Sequence, residues 1–376
     1  MRVVVATTAG AGHLGPLLPF ARALRQGGHD VVITAPASFA ASVERAGFEH
    51  RPFADGSPEE QGRVFASLAG CTNDEANAIV VRDVFGRIGA RAALPGVREL
   101  IERRRPDLVV REPAELASYV AAEEAGIPHV QVAVGLTAFD ELCVSVLEEP
   151  LAELGSRSGI DGLRSSPRLS LCPQSFDGPG AGETTRRYRD VAPAATGPLP
   201  EWWAGPDLPL VYVTFGSVAA GFGLFPALYQ QVAAVVAELP VRVLMTTGGG
   251  VDLSLLGPLP ANVHAEQWWP QEDVMPHTTA VVGHGGFGTT LAALVAGVPI
   301  VAIPLFADQP ANAARVAAIG AGIALDGGAT AVGNLADALQ RVLDGETYAR
   351  SARAVAEEIR ELPAVGECVP FLEGVA

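Results

Sequence analysis

The sequence predicts an α/β protein built as two doubly wound Rossmann-like domains facing across a cleft. Three observations predict it. Short apolar runs alternate with helical patterns from both ends of the chain, which is how βα units with parallel strands read. A proline- and glycine-dense stretch interrupts the middle of the chain, and directly after it the strand-then-glycine pattern seen at residue 3 starts again at Leu210. With 376 residues, 49% of them hydrophobic and only 18% charged, the chain is long and apolar enough for two such cores.

In the first half the expected strands are Val3 to Thr7, Val31 to Thr34, Leu108 to Val110 and His129 to Val134. In the second half they are Val211 to Phe215, Arg242 to Thr246, Val263 to Glu266, Ala280 to Val282 and Pro299 to Ile303. Turn chemistry accumulates at Cys172-Pro173, Gly178-Pro179-Gly180, Pro193, Gly197-Pro198-Leu199-Pro200, Pro206 and Pro209. It places a first domain at residues 1–200, ending in the linker, and a second at 201–376. The last helix is left open to pack back on the first domain. Residues 55 to 90 and 135 to 165 have weak periodicity and read as loops and helices of a variable pocket.

Charge and cysteine content narrow the function classes. A formal net charge of -16 speaks against nucleic-acid binding, which needs clustered Lys and Arg. The basic cluster Arg103-Arg104-Arg105 ends a helical pattern and reads as a solvated helix end. Cys71, Cys143, Cys172 and Cys368 are scattered and form no CxxC pair, so reduced thiols are expected. No targeting segment is evident, and the apolar stretch from Thr289 to Leu305 is broken by Gly297, Pro299 and Pro304, so no membrane span is expected. The expectation is a cytoplasmic protein, monomeric or homodimeric.

Three loops carry candidate chemistry. Gly10-Ala11-Gly12-His13-Leu14-Gly15 follows strand one and precedes a helix expected to start near Pro16. It has the GxGxxG spacing of a dinucleotide loop, but strand two ends in Thr34-Ala35-Pro36 without the acid that would hold ribose hydroxyls. A histidine at that strand end points toward the ligand edge of the sheet, where the helix dipole disfavours its protonated form and keeps it available as a base. The alternative is a histidine that merely fills a turn. Glu112, after the strand Leu108 to Arg111, lies on the same sheet edge and is the candidate to orient His13. Pro113 is expected to open the next helix, so Glu112 could instead answer that helix's dipole. Glu115 and Asp83 are fallback partners.

The second loop, Phe215-Gly216-Ser217, ends the first strand of the second domain, where small residues let backbone N–H groups approach a phosphate. The third, His284-Gly285-Gly286-Phe287-Gly288-Thr289-Thr290, follows the strand Ala280 to Val282 and runs into a helix. Its freed backbone, helix start, His284 and Thr289 hydroxyl suit a pyrophosphate held without a metal. No Lys follows its glycines, as a Walker loop would require, and neither paired histidines nor a DxD sequence offers a metal site.

Trp268-Trp269-Pro270-Gln271, the His284 to Thr289 loop and Asp308-Gln309 together resemble the donor signature of GT-B glycosyltransferases. The likeness is greatest to the inverting group of actinomycete antibiotic and plant natural-product enzymes. It implies that Trp268 stacks on the nucleobase, beside Trp269, and that Gln271 contacts the base or ribose. His284, Gly286, Gly288, Thr289, Gly216 and Ser217 would hold the diphosphate, and Asp308 and Gln309 would bind sugar hydroxyls. His13 would deprotonate the acceptor with Glu112 in support. Trp268 as a core residue and Asp308 as a helix N-cap stay open as alternatives.

Where many relatives carry a glutamate gripping the ribose, this chain has Ala292. Losing that acceptor removes a hydrogen bond worth about 0.5–1.5 kcal/mol and a reason to demand a 2'-hydroxyl. The expectation is therefore a thymidine diphosphate sugar, with a uridine donor next, carrying a hexose or deoxyhexose. No bound cofactor is expected; the nucleotide sugar is a co-substrate and the acceptor a small apolar molecule. Phe53, Phe65, Phe85, Leu136 and Phe139 are candidates to line the acceptor pocket or to be core. Competing readings are a nicotinamide oxidoreductase, a nucleotide-sugar epimerase and an inactive auxiliary homologue.

Overall fold

A computed structural model describes residues 1–179, 184–191, 207–217 and 219–376. The linker residues Gly180, Pro193, Gly197 to Pro200 and Pro206 lie outside the described residues. The chain divides into two compact units. The first comprises Met1–Cys172, Asp177–Asp190 and Leu362–Ala376; the second comprises Pro173–Phe176 and Val191–Glu361.

The first unit holds a seven-stranded parallel sheet: β1 (Arg2–Ala6), β2 (Asp30–Pro36), β3 (Glu49–Phe53), β4 (Leu108–Arg111), β5 (His129–Val132), β6 (Arg168–Ser170) and β7 (Thr185–Arg187), in the order β3-β2-β1-β4-β5-β6-β7. Each expected strand of this half is present. Three more were not expected. In β3, Glu-His-Arg-Pro-Phe, only Phe53 is buried, so it has no apolar run to read; β6 and β7 are three residues each and rich in arginine.

Both faces of the sheet are covered, as a parallel sheet requires. Along β4, Leu108 and Val110 pack on one side with Val3, Val5, Phe20 and Leu24, while Val109 packs on the other with Leu94, Val97, Tyr119 and Val120. Val365, Cys368 and Leu372, from the last segment of the chain, belong to the first of these cores.

Within the second unit, β8 (Leu210–Thr214), β9 (Arg242–Thr246), β10 (Val263–Glu266), β11 (Ala280–Gly283), β12 (Ile300–Ala302) and β13 (Gly322–Ala324) form a parallel sheet in the order β10-β9-β8-β11-β12-β13. Its core joins Val211, Val213, Val243, Val282 and Val301 to Tyr229, Val232 and Leu339. Only β13, Gly-Ile-Ala, was missed by the pattern.

Both sheets therefore have the doubly wound order in which the chain reverses direction beside its first strand. The reversal falls between β1 and β4 in one sheet and between β8 and β11 in the other. At such a point the connections leave on opposite faces, and the strand ends open a crevice where ligands bind.

Two helix starts differ from expectation. The first helix begins at Ala11, inside the glycine loop, and continues as a 3₁₀ turn from Gly15 and a second helix from Leu18. His13 thus sits within the first turn of the helix and not ahead of it. Pro113 does not open a helix; the next one is Ala117–Ala125. Residues 112–115 form a turn in which Glu115 N–H reaches Glu112 C=O at 3.3 Å, with proline at the second position, where its fixed φ suits such turns.

Candidate active site

The two strand ends at the first reversal bring His13 and Glu112 together. His13 Nδ1 lies 3.2 Å from Glu112 Oε1. The carboxylate is fully buried, whereas the imidazole is 27% exposed. Glu112 is held from the protein side as well: Thr8 donates its N–H (3.0 Å) and hydroxyl (2.8 Å) to Oε1, and Ala114 N–H donates to Oε2 at 2.6 Å. Burial alone would push this carboxyl up, but His13 and these donors outweigh burial and hold it below the usual glutamate range.

With Nδ1 facing an anion, the nitrogen left for chemistry is Nε2. The fallback acids are engaged elsewhere. Asp83 pairs with Arg82 at 2.6 Å and Arg87 at 2.7 Å. Glu115 accepts from Ser118 N–H at 2.9 Å, and burial pushes its carboxyl up to about 7. The reading of Glu112 as a helix-dipole acid falls with the helix start at Ala117.

The aromatic candidates separate by position. Phe85 meets His13 directly, ring centroids 5.6 Å apart. Phe53 is a core residue on β3, and Leu136 is buried at the start of the helix Thr137–Val144. Phe139 on that helix is half-buried, and Phe65 is exposed.

The reversal in the second sheet gathers Gly216-Ser217 after β8 and His284-Gly285-Gly286 after β11. Here, among the described residues, no carboxylate is paired with the histidine. Instead the ring is walled by glycines: a methyl at Gly216 would lie 2.8 Å from His284 Nε2, and one at Gly286 would overlap the same nitrogen. Burial drives the His284 imidazole down to about 4, and a hydrogen bond with the Thr214 backbone offsets this only in part. The ring is therefore neutral at physiological pH, a hydrogen-bonding group without charge.

Gly286 caps the helix Phe287–Ala296 with no side-chain partner, so the first N–H groups of that ten-residue helix remain for an anion. Gly288 is exposed on its first turn. Gln271 Nε2 donates to Thr289 Oγ1 at 3.0 Å and ties the loop after β10 to this helix start. Trp268 is 69% exposed and so is not a core residue; Trp269 is half-buried.

Asp308 stands at the N-cap of the helix Gln309–Ala318 but does not cap it. Its Oδ2 accepts from Asn312 Nδ2 at 2.7 Å, and the same amide reaches Gly285 C=O at 2.9 Å. Gln309 is buried, and its Oε1 accepts from Leu305 N–H (2.8 Å) and Phe306 N–H (3.0 Å). Its carbonyl thus shapes the loop after β12, which leaves only its amide NH₂ for a ligand.

Sequence reasoning missed Thr8 and Asn312. Thr8 is one of many threonines at strand ends. Asn312 carried a readable signal, four residues after Asp308 and so on the same helix face. Among the described residues no group of His, Cys, Asp or Glu is placed to hold a metal ion. No described helix is long and apolar enough to cross a membrane.

Two doubly wound parallel-sheet units give the architecture of the GT-B glycosyltransferases, which the structure resembles. The structure is similar to that of the glycosyltransferase SsfS6 of Streptomyces sp. SF2575 complexed with thymidine diphosphate, with a TM-score of 0.79 and 26% identity over 100% of this chain and 99% of that one. The L-demethylnoviosyl transferase of Streptomyces niveus is 33% identical, covering 96% of this chain and 95% of that protein. The elloramycin glycosyltransferase of Streptomyces olivaceus is 32% identical, covering 97% and 94%. Models of the erythromycin biosynthesis protein CIII-like N-terminal and C-terminal domains match residues 22–216 and 228–375. The chain belongs to the erythromycin biosynthesis protein CIII-like family, and it is a glycosyltransferase of natural-product biosynthesis.

Proposed function

We propose that the protein transfers a hexose or deoxyhexose from thymidine diphosphate to a small apolar acceptor, with inversion and without a metal. The observation that carries the reading is the contact of His13 with buried Glu112 at the first chain reversal. His13 Nε2 takes the acceptor proton as the hydroxyl oxygen attacks the anomeric carbon from the face opposite the diphosphate. Glu112 stabilises the imidazolium that forms; a base of this kind is typically worth 10²–10⁴-fold.

The leaving diphosphate is met by the open helix start at Gly286, by neutral His284, by Thr289 and by Gly216-Ser217. Trp268 offers an exposed indole for the base, next to Trp269, and Gln271 fixes the Thr289 hydroxyl. Asp308 and the amide of Gln309 face the sugar. Phe85, Phe139 and Leu136 are proposed for the acceptor side, with Phe53 as support from the core.

Two observations favour thymidine. A similar protein's structure holds thymidine diphosphate, and this chain has Ala292 where the family resemblance implies a ribose-gripping glutamate. The test is binding of thymidine, uridine and guanosine diphosphates with and without chelator. Tight thymidine diphosphate binding that chelator does not change supports the reading. A hundredfold preference for the uridine compound, or binding that collapses with chelator, contradicts it. Ala292→Glu should move the thymidine-to-uridine preference by about 3- to 10-fold toward uridine.

A further inference from the structure

One side chain of the second unit reaches two loops that follow different strands. β11 and β12 are neighbours, paired from Val281 with Ile300 to Gly283 with Ala302. Beyond those pairs they lead to separate loops, one carrying His284 to Gly286 and the other running from Ile303 to Asp308.

Asn312 joins them. It lies on the first turn of the helix Gln309–Ala318, four residues after Asp308, and is fully buried. One hydrogen of its amide goes to Asp308 Oδ2 (2.7 Å) and the other to the Gly285 carbonyl (2.9 Å). Both donors of the group are thus used, one on each loop. Gly285 permits the close approach: its φ is +78°, and a methyl there would lie 3.1 Å from the Gln309 carbonyl oxygen. Turning the amide over would set its oxygen against two acceptors, so its orientation is fixed by them.

The other end of the same side chain is a burden on the fold. Asn312 Oδ1 is buried and finds no hydrogen-bond partner among the described residues. An apolar side chain of that size would bury no acceptor and would serve packing better. What the position gains from asparagine is the NH₂ group. One of its targets is a carboxylate, and hydrogen bonds to an ionised acceptor are short and strong.

We propose that Asn312 is a positioning residue of the donor site, a role that rests on the reading of Asp308 as the sugar-binding acid. Its single amide locks the loop that meets the diphosphate to the carboxylate that meets the sugar. The sugar's share of binding then depends on a side chain too buried to touch the donor. Asp308 holds a sugar hydroxyl well only while it stays in register with the loop that anchors the diphosphate, and small misplacements are costly.

The test is calorimetry on the full chain with thymidine diphosphate and thymidine diphosphate glucose, reading the ratio of the two affinities. In the wild type the glucose compound should bind more tightly, and Asp308→Ala should lower the ratio about tenfold. Asn312→Asp keeps the volume but sets an oxygen against both acceptors, and it should lower the ratio about as far. Asn312→Ala should lower it about 3- to 10-fold, and it keeps the test open should Asn312→Asp not fold. Asp308→Ala combined with Asn312→Ala should lower it no further than Asp308→Ala alone. A packing role would instead lower the melting temperature and both affinities together, with the ratio intact. A ratio lowered by Asp308→Ala but untouched by the Asn312 variants, or losses that simply add in the double variant, overturns the proposal. A ratio that Asp308→Ala leaves unchanged overturns the sugar reading of Asp308 itself, and the role of Asn312 with it.

Discussion

The two chain reversals of this molecule occupy the same place in the same strand order, yet they are furnished in opposite ways. Between β1 and β4 a histidine faces a buried, ionised carboxylate, and three donors hold that carboxylate still. Between β8 and β11 a histidine has glycines for walls and burial for an environment, and it stays neutral. The doubly wound sheet provides a place for ligands in both units. In the proposed reading, an anion behind the histidine decides what it does: proton acceptor in one unit, uncharged hydrogen-bonding group in the other.

The sharpest way to break this contrast is to remove the anion. Glu112→Gln keeps the shape and discards the charge, so the imidazolium loses its support. Turnover should fall about a hundredfold or more, with thymidine diphosphate affinity unchanged by calorimetry. Turnover near wild type would mean that His13 is not working through Glu112. On the other side, Gly286→Ala should displace the His284 ring. The loss of hydrogen bonds to a charged diphosphate, at about 1.5–3 kcal/mol each, should weaken thymidine diphosphate binding by about 10- to 100-fold. Unchanged binding would sink the glycine-walled site.

A smaller effect concerns stability. Glu115 is buried with its carboxyl raised to about 7, so the folded protein keeps a proton that the unfolded chain releases above about pH 4.5. Stability contributed by this group is therefore full below pH 4.5 and declines as pH rises toward 7. Glu112 acts in the reverse sense: its depressed carboxyl contributes stability above the unfolded value, lost as pH falls below it. Melting temperatures of Glu115→Gln followed from pH 5 to 7 should decline less steeply than those of the wild type. Parallel curves would show that Glu115 does not titrate in that window.

The legible parts of the sequence were those where one residue type serves one physical need. Val3-Val4-Val5 and Val281-Val282 are buried on both faces and read as strands; the glycines around His284 read as close approach. Phe85's position could not be read, because it depends on a π-helix over Val80–Gly89 that no period in the sequence announces. The helix starts at Ala11 and Ala117 were misjudged because Pro16 and Pro113 carry the usual start signal. Here a neighbouring turn and the Glu112 carboxylate set the local hydrogen bonds instead. The edge strands β3 and β7 were hidden because a strand covered on few sides needs few apolar residues. Thr8 and Asn312 act by holding other polar side chains, and such roles leave little mark in a single sequence.

The most direct test compares His13→Ala with Gly286→Ala for two quantities, turnover and thymidine diphosphate affinity. The account predicts that the quantities separate. His13→Ala should lose about 10²–10⁴-fold in turnover at unchanged affinity, whereas Gly286→Ala should lose affinity first. Turnover in His13→Ala equal to the wild type, or an affinity loss in His13→Ala as large as in Gly286→Ala, would contradict the division of labour between the two reversals.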